Sequence, residues 1–270
     1  MKVSILASGS TGNTSLIETE KHKILMDAGL SGKKIKDLLA QVGVDINDID
    51  MAFLSHDHSD HSKGLGVLMR RYPQINAFAN SGTWKYLIDE NKVGKLPVEQ
   101  INTIEPGQVK SFDDLEIQAF ATSHDAAQPQ YYVFSSAGKR ITFLTDTGYV
   151  SEKVRDVIKD SDAYMLEFNY DTELLRNGSY SWQLKKRIMS DYGHLSNEQA
   201  SEVFEDVLTA KTKHIFLTHR SQHNNTLRLA HDTLVNNLAR DEIDFNPQLK
   251  VIDTDPNIPT DLIKFKIFSK

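Results

Sequence analysis

The chain has 270 residues, with 31 basic residues against 37 acidic ones and a formal net charge of −6. With 39% hydrophobic and 25% charged residues, it has the composition of an ordinary soluble globular protein that can bury its own core. The negative charge excludes a general positive field, so any contact with a polyanion must be local. The absence of cysteine excludes disulfides, thiol catalysis and cysteine-bound metal, so a metal site would have to use histidine and carboxylate.

Short β-branched or aromatic runs alternate with amphipathic stretches along the chain, which predicts an α/β (α+β) protein. We predict strands at Val3–Ala7, Thr14–Glu18, Ile24–Met26, Met51–Leu54, Ile75–Ala79, Leu115–Ala121, Tyr131–Phe134, Ile141–Leu144, Ala163–Leu166, His214–Leu217 and Lys250–Ile252. We predict helices at Lys33–Val42, Lys63–Tyr72, Gly82–Asn91, Glu152–Lys159, within Glu173–Met189, at Asn197–Ala210 and at Leu227–Ala239. No linker-like stretch divides the chain, so residues 1–270 are predicted to form a single domain.

The first residues lack an apolar segment of signal-peptide length, and no run approaches the roughly 18 apolar residues of a membrane span. We therefore expect a cytoplasmic protein without a membrane partner. The sequence sets no oligomeric state.

The densest chemical motif is Ser55-His56-Asp57-His58-Ser59-Asp60-His61, which directly follows the apolar run Met51–Leu54. Three histidines and two aspartates fall within six positions of this motif. A solvated loop explains such density poorly, because imidazoles seldom cluster unless a cation holds them.

Four further candidates also follow apolar runs: Asp27, His124, Asp146 and His219. Ligands of α/β sheets gather at the carboxyl ends of strands, so these side chains can converge on one pocket. Asp27-Ala28-Gly29 and Asp146-Thr147-Gly148 also repeat one pattern, an apolar strand followed by Asp-x-Gly, although each copy alone could be a common turn.

The number of donors favours two metal ions over one structural ion. His56, His58, His124 and Asp146 supply four donors for one ion. Asp60, His61 and His219 supply a second set when Asp146 is shared between the ions. Such a site can activate water and stabilise an anionic transition state. Imidazole and carboxylate suit Zn²⁺ and Mn²⁺ about equally.

His194 stands just before Ser196-Asn197-Glu198-Gln199, a capping-box pattern that opens a predicted helix. Helix N-termini can hold phosphate, so His194 is a candidate for a residue that acts on a phosphoryl group. The alternative is an ordinary histidine in a capping loop.

The Ser55–His61 segment resembles the HxHxDH signature of the metallo-β-lactamase superfamily. The order Asp27, His56-x-His58-x-Asp60-His61, His124, Asp146, His219 is similar to the five motifs of that family. The resemblance implies an αβ/βα four-layer sandwich, with two mixed β-sheets flanked by helices. It does not fix the substrate, because one fold serves many reactions.

Four shorter elements resemble a small bacterial group of this superfamily, the YycJ, WalJ or VicX hydrolases: Ala7–Asn13, His124–Ala126, Gly193–Asn197, and His219–Ser221 followed by Asn224-Asn225. This resemblance implies a DNA-processing hydrolase with 5′-to-3′ exonuclease activity, acting on DNA in preference to RNA, and a functional link to a two-component system of the cell wall. In the implied mechanism Asp60 orients an attacking hydroxide, Asp27 orients a ligand histidine and His194 donates a proton to the leaving 3′ oxygen.

Candidate substrate contacts come from three places. They are Ser8, Ser10 and Asn13 in an early loop, the basic run Lys185, Lys186 and Arg187, and Asn225. The alternatives are a plain hairpin loop, a solvated helix face and a helix N-cap, respectively. Two other functions remain open, namely a cyclic or small-molecule phosphodiesterase and a metal-bound regulator without catalysis.

Overall fold

The structure is a computed structural model that describes residues 1–240 and 245–265. The chain groups into two compact units. The first comprises Met1–Ala121, Ala126–Lys139 and the described part of Thr254–Lys270, and the second comprises Thr122–Asp125 and the described part of Arg140–Asp253. Each unit contains strands, helices and part of the predicted site.

In chain order the strands are β1 (Lys2–Ala7), β2 (Thr14–Glu18), β3 (Lys23–Met26), β4 (Met51–Phe53), β5 (Asn76–Ala79), β6 (Ile101–Thr103), β7 (Val109–Phe112), β8 (Leu115–Ala121), β9 (Gln130–Ser136), β10 (Lys139–Leu144), β11 (Ala163–Glu167), β12 (His214–Thr218), β13 (Lys250–Asp253) and β14 (Ile263–Lys264). Within the described residues they belong to two seven-stranded sheets.

The first sheet lies in the first unit, in the order β14-β1-β2-β3-β4-β5-β6. Its pairings from β14 to β3 are antiparallel, and those from β3 to β6 are parallel. The second sheet contributes antiparallel β7-β8-β9 to the first unit and parallel β10-β11-β12-β13 to the second unit. The prediction of two mixed β-sheets is therefore confirmed.

The helices are α1 (Gly32–Gln41), α2 (Ser59–Ser62), α3 (Leu65–Arg71), α4 (Ser81–Asp89), α5 (Glu152–Ile158), α6 (Thr172–Asn177), α7 (Trp182–Ile188), α8 (Asn197–Val207) and α9 (Leu227–Arg240). α1 is amphipathic and buries Ile35, Leu38 and Leu39 in the same apolar cluster as Leu16 and Leu25 of the first sheet. None of the helices in the described part of the chain is long and apolar enough to cross a bilayer.

Three short strands do not appear in the sequence prediction: β6, β7 and β14. Each is the outermost strand at one edge of its sheet, and none buries a residue completely. An edge strand that buries few side chains leaves a weak hydrophobic pattern in the sequence. The helical segment predicted within Glu173–Met189 forms two helices, because Gly178 ends α6 and the Ser181 hydroxyl caps the N-terminus of α7.

Candidate metal centre and catalytic site

In the first unit, Asp27 and the histidine-rich loop follow the carboxyl ends of the parallel strands β3 and β4. Asp27 comes directly after β3, and its N–H donates to the Phe53 carbonyl of β4 at 2.8 Å. Its carboxylate accepts the backbone N–H of Ser55 at 2.8 Å and the Ser55 hydroxyl at 3.0 Å. Asp27 is thus bound to the start of the histidine-rich loop.

Asp27 also binds His61, whose Nδ1 lies 2.8 Å from the Asp27 Oδ2. An ionised carboxylate can only accept, so the Nδ1 of His61 carries the proton and donates it. The opposite nitrogen, Nε2, is left with its lone pair and lies 3.1 Å from the Asn13 amide nitrogen and 3.5 Å from Asp60 Oδ2. This arrangement fixes the orientation of a buried histidine through its Nδ1.

The other two histidines of the motif pack against this group. The ring centroids of His56 and His58 are 4.7 Å apart, and those of His56 and His61 are 4.3 Å apart. His56 is buried and His58 is half-buried. The first unit thus brings His56, His58, Asp60 and His61 into one cluster beside Asp27.

The two Asp-x-Gly segments, one in each unit, share the same backbone geometry. Asp27 and Asp146 both adopt left-handed backbone conformations, with φ of 61° and 56°. The glycine two residues later allows a close approach: a Cβ at Gly29 would lie 1.6 Å from the Asp60 carbonyl oxygen, and one at Gly148 would lie 2.2 Å from that of Ser190. In each unit, glycine lets a loop that carries site residues lie against the aspartate turn.

In the second unit, four residues offer ligand atoms that all lie within 4.8 Å of one another: Asp146, Glu167, His194 and His219. Three of them stand at the carboxyl ends of the parallel strands β10, β11 and β12. His219, like Asp146, has a left-handed backbone, with φ of 49°. Such conformations cost free energy and concentrate at functional sites.

Glu167 is the residue of this cluster that the sequence analysis missed. It is fully buried, and its Oε1 accepts the N–H of Thr147 at 2.6 Å and that of Leu195 at 3.4 Å. Burial by itself would raise the pKa of the Glu167 carboxyl, but His194 and then His219 outweigh burial and lower the pKa below its ordinary value. The sequence does mark Glu167, because this residue directly follows the apolar run Ala163–Leu166, just as the other candidates follow theirs.

His194 is oriented by Glu167. The His194 Nδ1 lies 3.0 Å from Glu167 Oε2, and the side chain keeps 20% of its surface exposed. Its ring lies 5.1 Å from that of His124 and 5.3 Å from that of His219, between ring centroids. The predicted capping box is confirmed, since the Ser196 and Gln199 side chains cap the start of α8.

His124 is buried and is also fixed through Nδ1, which lies 3.0 Å from the carbonyl oxygen of Gly193. A carbonyl accepts only, so Nδ1 donates and the lone pair belongs to Nε2, which lies 3.8 Å from Asp146 Oδ1. The second unit therefore brings together the predicted residues His124, Asp146, His194 and His219, and adds Glu167.

The early loop lies against the histidine-rich motif of the first unit. Asn13 is buried, accepts from the N–H of Gly9 at 2.9 Å and points its amide nitrogen at His61. Ser8 is buried and its hydroxyl lies 3.3 Å from the Asn13 side-chain oxygen, whereas Ser10 is exposed. Asn13 is therefore buried beside His61, whereas Ser10 is accessible to a substrate.

The three members of the basic run have different environments. Lys185 is buried, and its ammonium group donates to the carbonyl oxygens of Arg176 at 2.8 Å and Gly178 at 2.7 Å. Lys186 lies over the Trp182 ring at 5.6 Å, and the Arg187 guanidinium pairs with Asp125. Lys185 thus has a structural partner, whereas Lys186 and Arg187 stand at the surface.

Asn225 is also buried and engaged inside the protein. Its amide nitrogen donates to the Phe168 carbonyl at 2.9 Å and to Asn197 Oδ1 at 2.8 Å, and its Oδ1 accepts the N–H of Thr226 at 2.8 Å. These contacts hold the start of α8 and the segment before α9.

The donor sets of both units fit a divalent metal ion. They combine imidazole nitrogens with carboxylates, which is the chemistry that Zn²⁺ and Mn²⁺ accept in proteins. Most donors are buried, and His61 and His124 have their remaining nitrogen fixed by a hydrogen bond, as metal-bound histidines do.

Two curated proteins resemble the chain over nearly its full length. "Exodeoxyribonuclease WalJ" of Streptococcus pneumoniae is 46% identical over 261 residues, which are 97% of each chain. "Exodeoxyribonuclease YycJ" of Bacillus anthracis is 43% identical over 257 residues, which are 95% of this chain and 96% of the relative.

Solved structures share the fold at low sequence identity. Zn²⁺-bound PqqB from Methylobacterium extorquens has a TM-score of 0.70 at 14% identity and covers 97% of this chain and 100% of its own. The metallo-β-lactamase fold protein YhfI from Bacillus subtilis has a TM-score of 0.68 at 15% identity, over 96% of this chain and 98% of its own. The fold predicted from the sequence is thus confirmed.

A family model described as "Beta-lactamase superfamily domain" matches residues 22–219. The matched region contains every predicted metal ligand, from His56 to His219, together with Glu167 and His194. The chain therefore belongs to the β-lactamase superfamily.

Proposed function

We propose that the chain is a metal-dependent phosphodiester hydrolase that degrades DNA as an exonuclease. The observation that carries the proposal is the His194 ring, which stands beside Asp146 and His219 and is anchored through Nδ1 to the buried Glu167. When it is doubly protonated, a histidine held in this way can donate the Nε2 proton to a leaving oxygen next to metal ligands, while Nδ1 stays bound to the carboxylate. The names of the two exodeoxyribonucleases, which are 43–46% identical to the chain, support DNA as the substrate.

The proposed cofactor is a pair of divalent ions, Zn²⁺ or Mn²⁺. The proposed ligands are His56, His58 and His124 for one ion, Asp60, His61 and His219 for the other, and Asp146 for both. When bound, the ions would supply Lewis-acid activation of water and neutralise charge on the phosphate. The support for this assignment is the chemistry of the donors and the order of the motifs in a chain of this superfamily.

Three residues then have separable tasks. Asp60, whose side chain is 24% exposed, would accept a proton from the attacking water and orient it. Asp27 would keep the Nδ1 proton of His61 in place, which makes Nε2 the ligating atom. His194 would protonate the leaving 3′ oxygen.

Several further features of the proposal depend on the resemblance. We propose 5′-to-3′ polarity, a preference for DNA over RNA and action in the cytoplasm. We also propose that residues 1–270 act as one catalytic domain, since the family model extends over segments of both units. A functional link to a two-component system of the cell wall remains a prediction.

Digestion of end-labelled single- and double-stranded DNA and RNA in Mn²⁺ or Zn²⁺ tests the proposal. We expect labelled mononucleotides to be released at once from 5′-labelled DNA, while a 3′ label remains on progressively shorter products. Asp146→Ala serves as the inactive control.

Two results would overturn the nuclease assignment. Hydrolysis of cyclic nucleotides without any degradation of DNA or RNA would favour the small-molecule phosphodiesterase. A metal-loaded protein that hydrolyses no phosphodiester would favour the non-catalytic regulator.

A further inference from the structure

A cleft of about 230 Å³ lies in the first unit beside the candidate ligand His58. The residues that line it include Lys63, Lys92 and Tyr86, and Tyr86 is 38% exposed. The cleft is smaller than the roughly 300–1,000 Å³ of pockets that enclose a drug-sized ligand. It therefore suits one segment of a longer substrate.

Local backbone geometry places Lys92 over Tyr86. α4 ends at Asp89, and Asn91 adopts a left-handed conformation with φ of 47°. This turn reverses the chain, so that the N–H of Lys92 donates back to the Leu87 carbonyl at 3.0 Å. The Lys92 ammonium lies 5.7 Å from the centre of the Tyr86 ring.

The turn that carries Lys92 is fixed against α3. A Cβ at Gly66 would lie only 1.9 Å from the Val93 carbonyl oxygen, so glycine is needed for this close approach. The Arg70 guanidinium donates to the Val93 and Lys95 carbonyl oxygens at 3.1 and 2.8 Å. Lys92 thus projects from a tethered segment and not from a loose loop.

Lys63 joins the cleft to the early loop. It directly follows α2, and its ammonium donates to the Thr11 carbonyl oxygen at 3.0 Å. Thr11 lies next to Ser10, the exposed residue of the loop that the sequence analysis assigned to the substrate.

The charges in the cleft favour an anion. One carboxylate, that of Asp57, is among the lining groups, but it is 6% exposed and accepts the N–H of Ala127 at 2.8 Å. Lys63 and Lys92 are exposed residues, and their two positive charges outnumber the one negative charge of Asp57. A phosphate would be attracted by these lysines, and the exposed Tyr86 ring can stack on a base.

We propose that this cleft is a binding subsite for one phosphate and the adjoining base of the DNA strand. The inference rests on the proposed function, since the cleft would hold the part of the strand that flanks the phosphate to be cleaved near His58. Lys92 and Lys63 contact the phosphate, and Tyr86 stacks on the base.

The test compares Lys92→Ala and Tyr86→Ala with Lys85→Ala, a matched control. Lys85 is an exposed lysine on the same helix α4, pairs with Asp89 and lies outside the cleft lining. Binding of a fluorescent oligothymidylate is measured by anisotropy in chelator, and kcat/KM for the same DNA is measured with metal.

We expect Tyr86→Ala to weaken DNA binding about 5- to 150-fold, which is the range for loss of one stacked base. Tyr86→Phe should keep most of the affinity. Lys92→Ala should reduce the slope of log Kd against log salt by about 0.7, the value for one phosphate contact on a single strand. Lys85→Ala should match the wild type in both measurements.

The source of the phosphate is resolved by comparing oligonucleotides that carry a 5′-phosphate or a 5′-hydroxyl. A Lys92→Ala effect restricted to 5′-phosphorylated DNA identifies a terminal phosphate, and an equal effect on both identifies an internal one. Either result supports the subsite.

The subsite is overturned if Lys92→Ala and Tyr86→Ala bind DNA like Lys85→Ala, or if the wild type binds no DNA. Failure of the proposed function has a different signature, namely wild-type protein that binds DNA in the cleft but does not hydrolyse it in Mn²⁺ or Zn²⁺.

Discussion

Glu167→Gln is the most informative single substitution in the second unit, because it changes charge and not shape. In the wild type, Glu167 Oε1 accepts from the backbone of Thr147 and Leu195, and Oε2 accepts from the His194 Nδ1. A glutamine has one acceptor oxygen and one NH₂ donor. Its oxygen would serve the two backbone donors, and its NH₂ would oppose the Nδ1 of His194.

The size of the effect follows from the hydrogen bond that is lost. A hydrogen bond to a charged group contributes ~1.5–3 kcal/mol, and every 1.36 kcal/mol changes a rate tenfold. We therefore expect kcat on DNA to fall about 10- to 150-fold, with little change in KM, because the contact orients His194 and does not itself hold substrate. Glu167 is ionised at neutral pH, since its pKa is lowered, so the full loss should be visible there.

The assay is steady-state hydrolysis of DNA, with the metal content of each variant measured by elemental analysis. Glu202→Gln, an exposed glutamate on α8, is the matched control for loss of one negative charge and should retain wild-type kcat. Because Glu167 acts through His194, the double variant with His194→Ala should be no slower than His194→Ala alone. Loss of metal in Glu167→Gln, or a kcat equal to that of Glu202→Gln, would refute this positioning role.

Four other predictions follow from the site. Elemental analysis of the metal-saturated protein should give two divalent ions per chain, and a value of one would contradict the shared-ligand assignment. Asp146→Ala and His58→Ala should abolish hydrolysis of bis-p-nitrophenyl phosphate, because each removes a proposed ligand, and near-normal turnover with full metal in either variant would exclude that ligand. His194→Ala should lower turnover on DNA about 10²- to 10⁴-fold with metal content intact, as expected for loss of a positioned acid; an unchanged rate would assign His194 to the capping loop. In a denaturant titration, Lys185→Met should lower the free energy of unfolding by ~1–3 kcal/mol, since two carbonyls lose their donor. In an anisotropy assay, Lys186→Ala should weaken DNA binding and flatten its salt dependence. Both roles would be contradicted if Lys185→Met weakened DNA binding without loss of stability and Lys186→Ala lost stability without weaker binding.

The periodicity of the sequence was sufficient for most of the fold. Runs such as Ala163–Leu166 are buried on both faces, so nearly every position carries an apolar side chain and the strand is visible in isolation. The edge strands β6, β7 and β14 were missed because none of their residues is fully buried, so their hydrophobic pattern in the sequence is weak.

The candidate site was predictable where chemistry and local sequence coincide. His56, His58, Asp60 and His61 lie within six positions, and their residue types alone indicate metal ligation. Glu167 has only a strand end to mark it, and a glutamate at a strand end is common. Its importance becomes clear only when His194, 27 positions later, is found at its carboxylate.

The sequence by itself determined which donor atoms this protein can offer and in what order, because residue type fixes ligand chemistry and apolar runs fix where strands end. The tertiary structure decided which polar groups are consumed inside the protein and which stay available to a substrate. The sequence made Lys185 and Asn225 candidates for substrate contacts. In the structure, both form hydrogen bonds to backbone and side-chain groups that folding brings to them. Tyr86 and Lys92 carry no motif, but a left-handed turn and a glycine contact on α3 place them in one cleft. The physical reason is that burial and hydrogen-bond satisfaction depend on neighbours from distant parts of the chain, which no local pattern encodes.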